Sequence, residues 1–355
     1  MRKHYIDNIR WATVVTVMIY HVFYMYNGVA SDGVAGPFRD VQYQDAVQYL
    51  LYPWFMALLF IVSGMCARYY LDRHTAKEFI RARTTKLLVP STVGLLAFQW
   101  IQGLVNTTLS NASEQIGSVP KPIFVLILCA SGIGVLWYIQ MLWVFSVLLI
   151  PIRKIEKGKL SAICERTNIV VLVLLGVAVW GAAQVLNTPV ITVYRFGIYG
   201  LCFLLGYFVF SHEAVTDRLA KFSPFLAVIA AVLGVLYTVF YFGENYAVEP
   251  AINCPLAIAF AWLACLAIIG LMKRFGNRQT KLTEFMTKKS WGLYVFHYLP
   301  VSACGLLFRN NTVLPPVLIY IITLLAAFAG GLLLYEIISR IPFFRWCVLG
   351  IKKEK

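Results

Sequence analysis

Hydrophobic residues in this chain come in long unbroken blocks, neither alternating nor confined to one face of a helix. Ala227–Tyr241 and Ile169–Tyr194 contain no charged residue. Blocks on the order of 20 residues match a hydrocarbon core of roughly 30 Å at the helical rise per residue. Continuous apolarity selects helices over a barrel, whose strands would alternate. The pattern predicts ten spans: Ile9–Tyr26, Val47–Cys66, Leu87–Val105, Ile123–Ile150, Ile169–Leu186, Val193–Phe210, Phe225–Tyr241, Asn253–Met272, Trp291–Phe308 and Pro316–Ser339. The expected fold is therefore an all-α integral membrane protein of about ten transmembrane helices. Residues 1–355 form one transmembrane domain with no soluble domain.

The connections carry their own expectations. Asn27–Gln44 and Gly103–Lys121 are long and rich in Gly, Ser, Asn and Asp, as mobile or binding loops are. Arg68–Lys86 is too charged to insert and reads as an interfacial helix, with Phe79 beside Arg81, Arg83 and Lys86 to touch lipid. No internal repeat supports the inverted-repeat plan of many transporters.

Composition agrees: 60% of residues are hydrophobic and 13% charged, about half the charge of a soluble domain. The net charge of +15 suggests nucleic acid until its placement is considered. All but four of the 31 Lys and Arg fall on one side of the ten-span arrangement; the other side holds Arg39, Lys121, Arg195 and Arg309. This asymmetry puts both termini in the cytoplasm and excludes nucleic acid as the partner. The sequons at Asn106, Asn111 and Asn310 fall in outward loops. Asp7 and Arg10 interrupt the start of the first apolar run and no small-x-small site follows, so that run reads as a retained span. The eight cysteines are scattered without a C-x-x-C pair, as small packing residues rather than disulfides or metal ligands.

Ionisable residues inside the spans carry the chemistry, because each is costly in hydrocarbon unless it faces a polar cavity. His21 follows Arg10 by 11 residues, three helical turns plus about 20°, with about 16.5 Å of rise. Both then project from one face, Arg10 at the cytoplasmic boundary and His21 inside the membrane, with Asp7 one turn before to orient the guanidinium. A long ligand charged at one end and reactive at the other fits this spacing. Acyl-coenzyme A is such a ligand: Arg10 takes phosphate and the pantetheine arm extends toward His21, whose imidazole suits a general base. The competing reading is a buried histidine bonded to a backbone carbonyl, with Arg10 snorkelling to headgroups.

Several segments, in order, resemble one family. Tyr5-Ile6-Asp7-Asn8-Ile9-Arg10 followed by His21, Phe55–Gly64, Arg83-Thr84-Thr85-Lys86-Leu87-Leu88-Val89-Pro90, Leu136–Leu142 and Ser290–His297 are similar to motifs of the acyltransferase-3 family of integral membrane acyltransferases. Tyr335-Glu336 with Arg340 resembles its glucan-biosynthesis-C-like subgroup. The resemblance implies ten helices, an acyl group taken from cytoplasmic acyl-coenzyme A, and an acceptor hydroxyl on an extracytoplasmic glycan. It carries the family's functional Arg and His over to Arg10 and His21. One departure is the basic motif, Arg-x-x-Arg in the family and Arg83 then Lys86 here, which gives up a bidentate fork.

The remaining candidates follow. Arg81, Arg83 and Lys86 are expected on coenzyme phosphates, with ordinary positive-inside charge as the alternative. Trp137 and Tyr138 are expected along the acyl tunnel, or as packing, and His297 along the coenzyme cavity, or as a structural histidine. Glu336 reads as one partner of an ion pair, Arg195 as a headgroup contact, and Glu244 and Glu249 as solvated loop charge. No Gly-rich phosphate loop, metal-ligand spacing or G-x-S-x-G elbow occurs. The expected activity is O-acyl transfer from acetyl- or succinyl-coenzyme A to a cell-envelope glycan or glycolipid, in the multi-pass bacterial cytoplasmic (inner) membrane, with His21 as base and no metal. The rivals are a transporter or flippase for a lipid-linked sugar or anion, and a non-catalytic scaffold.

Overall fold

A computed structural model describes residues 3–30, 40–110, 112, 119–188, 193–311 and 313–352. Every regular element among them is helical, and the β contact found there is an isolated bridge between Asn187 and Arg195. Arg39 and the sequon residue Asn111 lie outside the described residues, as does Thr312, which completes the Asn310 sequon.

The chain order is α1 (His4–Met25), α2 (Ala46–Leu71), α3 (Ala76–Leu109), α4 (Lys121–Ser131), α5 (Trp137–Glu156), α6 (Lys159–Glu165), α7 (Ile169–Ala183), α8 (Phe196–Phe210), α9 (Glu213–Tyr241), α10 (Pro255–Phe275), α11 (Lys281–Phe296), α12 (Tyr298–Phe308), α13 (Pro316–Arg340) and α14 (Pro342–Leu349). Six helical stretches among the described residues are long and apolar enough to cross a bilayer: those of α2, α3, α5, α9, α10 and α13. The pair α11 and α12, bent by 49° at His297, makes a seventh when taken as one span. On α13, Val317, Ile321, Leu325 and Leu333 are all exposed. So are Val228, Val232, Val235 and Val239 on α9. Apolar belts of this extent are stable against lipid and not against water. The chain is a multi-pass, all-helical membrane protein.

The other expected spans fall on helices that are shorter or more polar than these. Helix α1 carries Asn8, Thr13, Thr16 and His21 and is not among the long apolar helices. Its apolar side chains Ile9, Val17, Met18, Val22 and Met25 are buried within the protein, so the helix needs no lipid-compatible perimeter. Helices α7 and α8 are apolar but short. The expected span Ile123–Ile150 is two helices, α4 and α5, separated at Ser131–Leu136. There Gly134 takes a φ of +43°, which favours glycine, and a Cβ at Gly132 would collide with the Gln99 carbonyl. The interfacial helix expected over Arg68–Lys86 is likewise corrected. Helix α2 runs to Leu71, α3 begins at Ala76 and continues to Leu109, and Phe79 is buried beside the Tyr70 ring rather than facing lipid.

The chain forms two compact units, whose boundaries fall inside helices. The first comprises Met1–Thr16, Gln48–Arg81 and Met141–Thr287. Within it α9 and α10 pack side by side, and α2 meets α8 at two glycines. A Cβ at Gly64 would strike the Phe203 carbonyl, and one at Gly206 the Ile61 carbonyl. Small residues at such crossings let backbones approach where lipid offers no hydrophobic drive. The start of α1 is pinned in the same unit: Asn8 Nδ2 donates to the carbonyls of Gly276 (2.7 Å) and Arg278 (2.9 Å), and the Tyr5 amide donates to Asn277 Oδ1 (3.1 Å). The second unit comprises Val17–Val47, Ala82–Gln140 and Lys288–Lys355, and packs α3 against α4, α12 and α14, and α12 against α13.

The α2–α8 crossing gives a paired prediction. Gly64→Ala places a methyl into the Phe203 carbonyl and costs ~1–3 kcal/mol, whereas Gly181→Ala on α7 meets nothing within 4 Å and is neutral or stabilising. Thermal unfolding of the two variants in detergent should show a lowered midpoint for the first alone.

Candidate active site

Helix α1 is unbroken from His4 to Met25, so the register expected between Arg10 and His21 is kept. Arg10 belongs to the first unit, is exposed, and has Nη1 3.8 Å from Asp7 Oδ1. His21 belongs to the second unit and is half-buried.

His21 meets three rings. Its centroid lies 4.9 Å from Tyr298 and 5.2 Å from Tyr20, both edge-on, and 5.1 Å from His297. Between the histidines His21 Nδ1 stands 3.0 Å from His297 Nε2, a hydrogen bond between imidazoles. His297 is 0% exposed, so of the two rings only His21 presents area to a ligand. The chain places His297 here by bending between α11 and α12. At that bend its Nδ1 lies 2.9 Å from the Leu293 carbonyl and 3.0 Å from the Tyr294 carbonyl. Gly331 of α13 faces the His297 backbone, and a Cβ there would sit 3.6 Å from it. Tyr298 in turn lies against Gly134, a hypothetical Cβ of which is 3.5 Å from the ring.

An aromatic ladder extends from this pair within the same unit. Tyr294, whose carbonyl bonds His297, lies 5.9 Å from Trp291 in a stacked arrangement and 5.8 Å from Tyr138, edge-on. The Tyr294 hydroxyl bonds the Val135 carbonyl. Trp137 continues from Tyr138 at 6.5 Å. At the other end the Lys86 ammonium sits 4.5 Å from the Trp291 ring centroid, a cation–π contact. The Leu349 carbonyl at the end of α14 accepts from both Lys86 Nζ (3.1 Å) and Trp291 Nε1 (3.0 Å). Gly350 follows with φ +60°, where a Cβ would press into the Thr85 carbonyl. Lys86 lies on the wide π turn Thr84–Leu88 of α3, a distortion often found at functional sites.

The structure thus gathers Lys86, Arg83, Trp137, Tyr138, His297 and His21 into one unit, and places Arg10 and the exposed Arg81 in the other. Tyr138 is 8% exposed and lies edge-on to Tyr294 in the ladder. Glu336 pairs with Lys289 and lies 4.0 Å from Arg340, as expected of an ion pair. Arg195 corrects its expectation. Far from meeting headgroups, it is 4% exposed, with Nη2 2.5 Å from Asn253 Oδ1. Glu249, expected to be simply solvated, is exposed yet accepts from Asn253 Nδ2 at 2.7 Å. Sequence reasoning missed Tyr298 and the C-terminal carbonyl of Leu349. The first had a local signal, an aromatic beside the expected His297; the second had none.

Among the described residues no group of three or more His, Cys, Asp or Glu is placed to hold a metal ion. What the site offers is an accessible imidazole inside the membrane domain, hydrogen-bonded through one nitrogen. Its surroundings are aromatic, and a lysine stands farther along the same unit.

A model of the acyltransferase domain family, acyltransferase-3, matches residues 3–336, nearly the whole chain. No curated protein and no solved structure matches significantly. The match takes in the start of α1, the π turn of α3, the aromatic pair of α5 and the bent α11–α12 pair, and on its extent the chain belongs to the acyltransferase-3 family of membrane acyltransferases.

Proposed function

We propose that this acyltransferase moves an acyl group, acetyl or succinyl, from cytoplasmic acyl-coenzyme A to a hydroxyl of an extracytoplasmic cell-envelope glycan or glycolipid. The observation that carries the reading is the half-buried His21 imidazole, held through one nitrogen in a family whose chemistry is acyl transfer. A ring so held is pre-oriented, which a general base needs for reach and alignment. His21 takes the proton of the acceptor hydroxyl as its oxygen attacks the thioester carbonyl. The tetrahedral centre then collapses, the C–S bond breaks, and the departing sulfur receives the proton from His21. Each atom is accounted for without an acyl-serine or acyl-cysteine intermediate.

At the other end of the ligand, cations meet phosphate. Lys86 is a point charge set against the Trp291 ring and the Leu349 carbonyl, and with Arg83 it supplies phosphate contacts in the second unit. Arg10 and Arg81 join them on sequence grounds. The coenzyme enters from the side that carries the great majority of the chain's Lys and Arg, the cytoplasmic side by the positive-inside rule. The acceptor arrives from the opposite side of the bacterial inner membrane. Trp137 edges the acyl path.

Two predictions separate binding from chemistry. With purified protein and acetyl-coenzyme A, Arg10→Ala weakens binding ~10-fold or more, consistent with loss of a charge-assisted contact. His21→Ala keeps binding within ~3-fold but loses ~10²–10⁴ in thioester turnover with an envelope-glycan extract, the usual range for a general base. A wild-type protein, shown to be folded, that binds neither acetyl- nor succinyl-coenzyme A would overturn the enzyme reading and bring a transporter forward. Separately, Lys86→Ala should raise KM for the acyl-coenzyme A and leave kcat unchanged, the signature of uniform binding. A fall in kcat at constant KM would remove Lys86 from the phosphate site.

A further inference from the structure

We infer that His297 is a positioning residue that fixes His21 as its Nδ1–H tautomer, making His21 Nε2 the atom that accepts the proton. The tautomer follows from hydrogen-bond geometry alone; its catalytic meaning rests on the acyl-transfer reading above.

A backbone carbonyl can only accept, so the nitrogen facing two of them must carry hydrogen. His297 Nδ1 lies 2.9 Å from the Leu293 carbonyl and 3.0 Å from the Tyr294 carbonyl, and is therefore an N–H donor. A neutral imidazole holds one hydrogen, so His297 Nε2 is a bare lone pair. That lone pair stands 3.0 Å from His21 Nδ1, and a bond at this distance needs a hydrogen between the two nitrogens. His21 Nδ1 must supply it. The hydrogen count then leaves His21 Nε2 unprotonated.

The reverse arrangement requires a cationic His297 donating through Nε2. No carboxylate is among the partners described for either ring, and His297 is fully enclosed. A buried cation without a counter-charge is costly, so both rings are neutral in the resting pair. When His21 Nε2 takes the hydroxyl proton, the ring becomes an imidazolium whose Nδ1–H already points at the His297 lone pair. His297 thus does for His21 what a carboxylate does in a Ser-His-Asp triad, orienting the ring and supporting its charged form. It does so without placing a permanent anion in the membrane domain. The bend between α11 and α12 belongs to this device, because the ring of the residue at the bend reaches back to carbonyls three and four residues earlier.

The test uses the full chain, with ¹⁵N-labelled histidine, in detergent. Signals of His21 are assigned by their loss in His21→Gln. Wild type should show His21 protonated at Nδ1 and bare at Nε2; the opposite pattern overturns the inference whether or not the protein is active. His297→Phe keeps a ring but removes the acceptor. It should leave His21 distributed between tautomers, keep acetyl-coenzyme A binding within ~3-fold, and lower acyl transfer ~10²-fold or more. His297→Gln restores a side-chain carbonyl for His21 Nδ1–H and should recover at least ~10-fold of that loss. Should His297→Phe not fold, the wild-type spectrum and the glutamine variant still decide. Equal activity in wild type and His297→Phe, or an unchanged His21 tautomer in His297→Phe, refutes the positioning role. Absence of acyl transfer by wild type would instead count against the proposed function, leaving the ¹⁵N pattern to judge the tautomer by itself.

Discussion

A hydrogen bond between two imidazoles, 3.0 Å long and inside a membrane-spanning chain, is the interaction on which the rest of the site depends. Polar groups in such a setting must find partners within the protein, because hydrocarbon supplies none. The His21–His297 pair finds them by using backbone carbonyls as terminal acceptors, and this dictates the local architecture. The helix bends at His297, Gly331 of α13 lies close to its backbone, and Tyr298 packs against His21. A continuous straight helix over Lys281–Phe308 would place these groups differently.

The same economy governs the basic end. Lys86 rests on the face of Trp291 and on the main-chain carbonyl of Leu349, which ties α3 to α11 and α14. Lys289 is held differently, by the carboxylate of Glu336, which ties α11 to α13.

Much of this was legible in the amino-acid pattern, and what was not has identifiable causes. Helical membrane character followed from uninterrupted apolar blocks, and the α1 register from the 11-residue interval between Arg10 and His21. The split of Ile123–Ile150 was written in Ser131-Gly132-Ile133-Gly134, but hydropathy outweighs glycine when a block is read as one span. Phe79 and Arg195 were misplaced because flanking charge says how polar a segment is, not whether the segment folds back into the protein. The pairing of His21 with His297 spans 276 positions of sequence, and nothing local encodes it. Its family motif marked each residue singly and gave no sign that they bond to each other. The role of Leu349 was invisible for a different reason: a backbone carbonyl has no side-chain signature.

Whether acyl transfer occurs at His21 is decided by a structure of the full chain with a non-transferable thioether analogue of acetyl-coenzyme A. A reacting carbonyl and an attacking oxygen stand ~3–3.5 Å apart before reaction, and that oxygen lies ~2.6–3.2 Å from its base. With His21 as base, the acyl carbon of the analogue lies within about 6 Å of His21 Nε2, with room between them for one hydroxyl. An analogue bound with its acyl end more than about 10 Å from His21 rules out transfer at that residue.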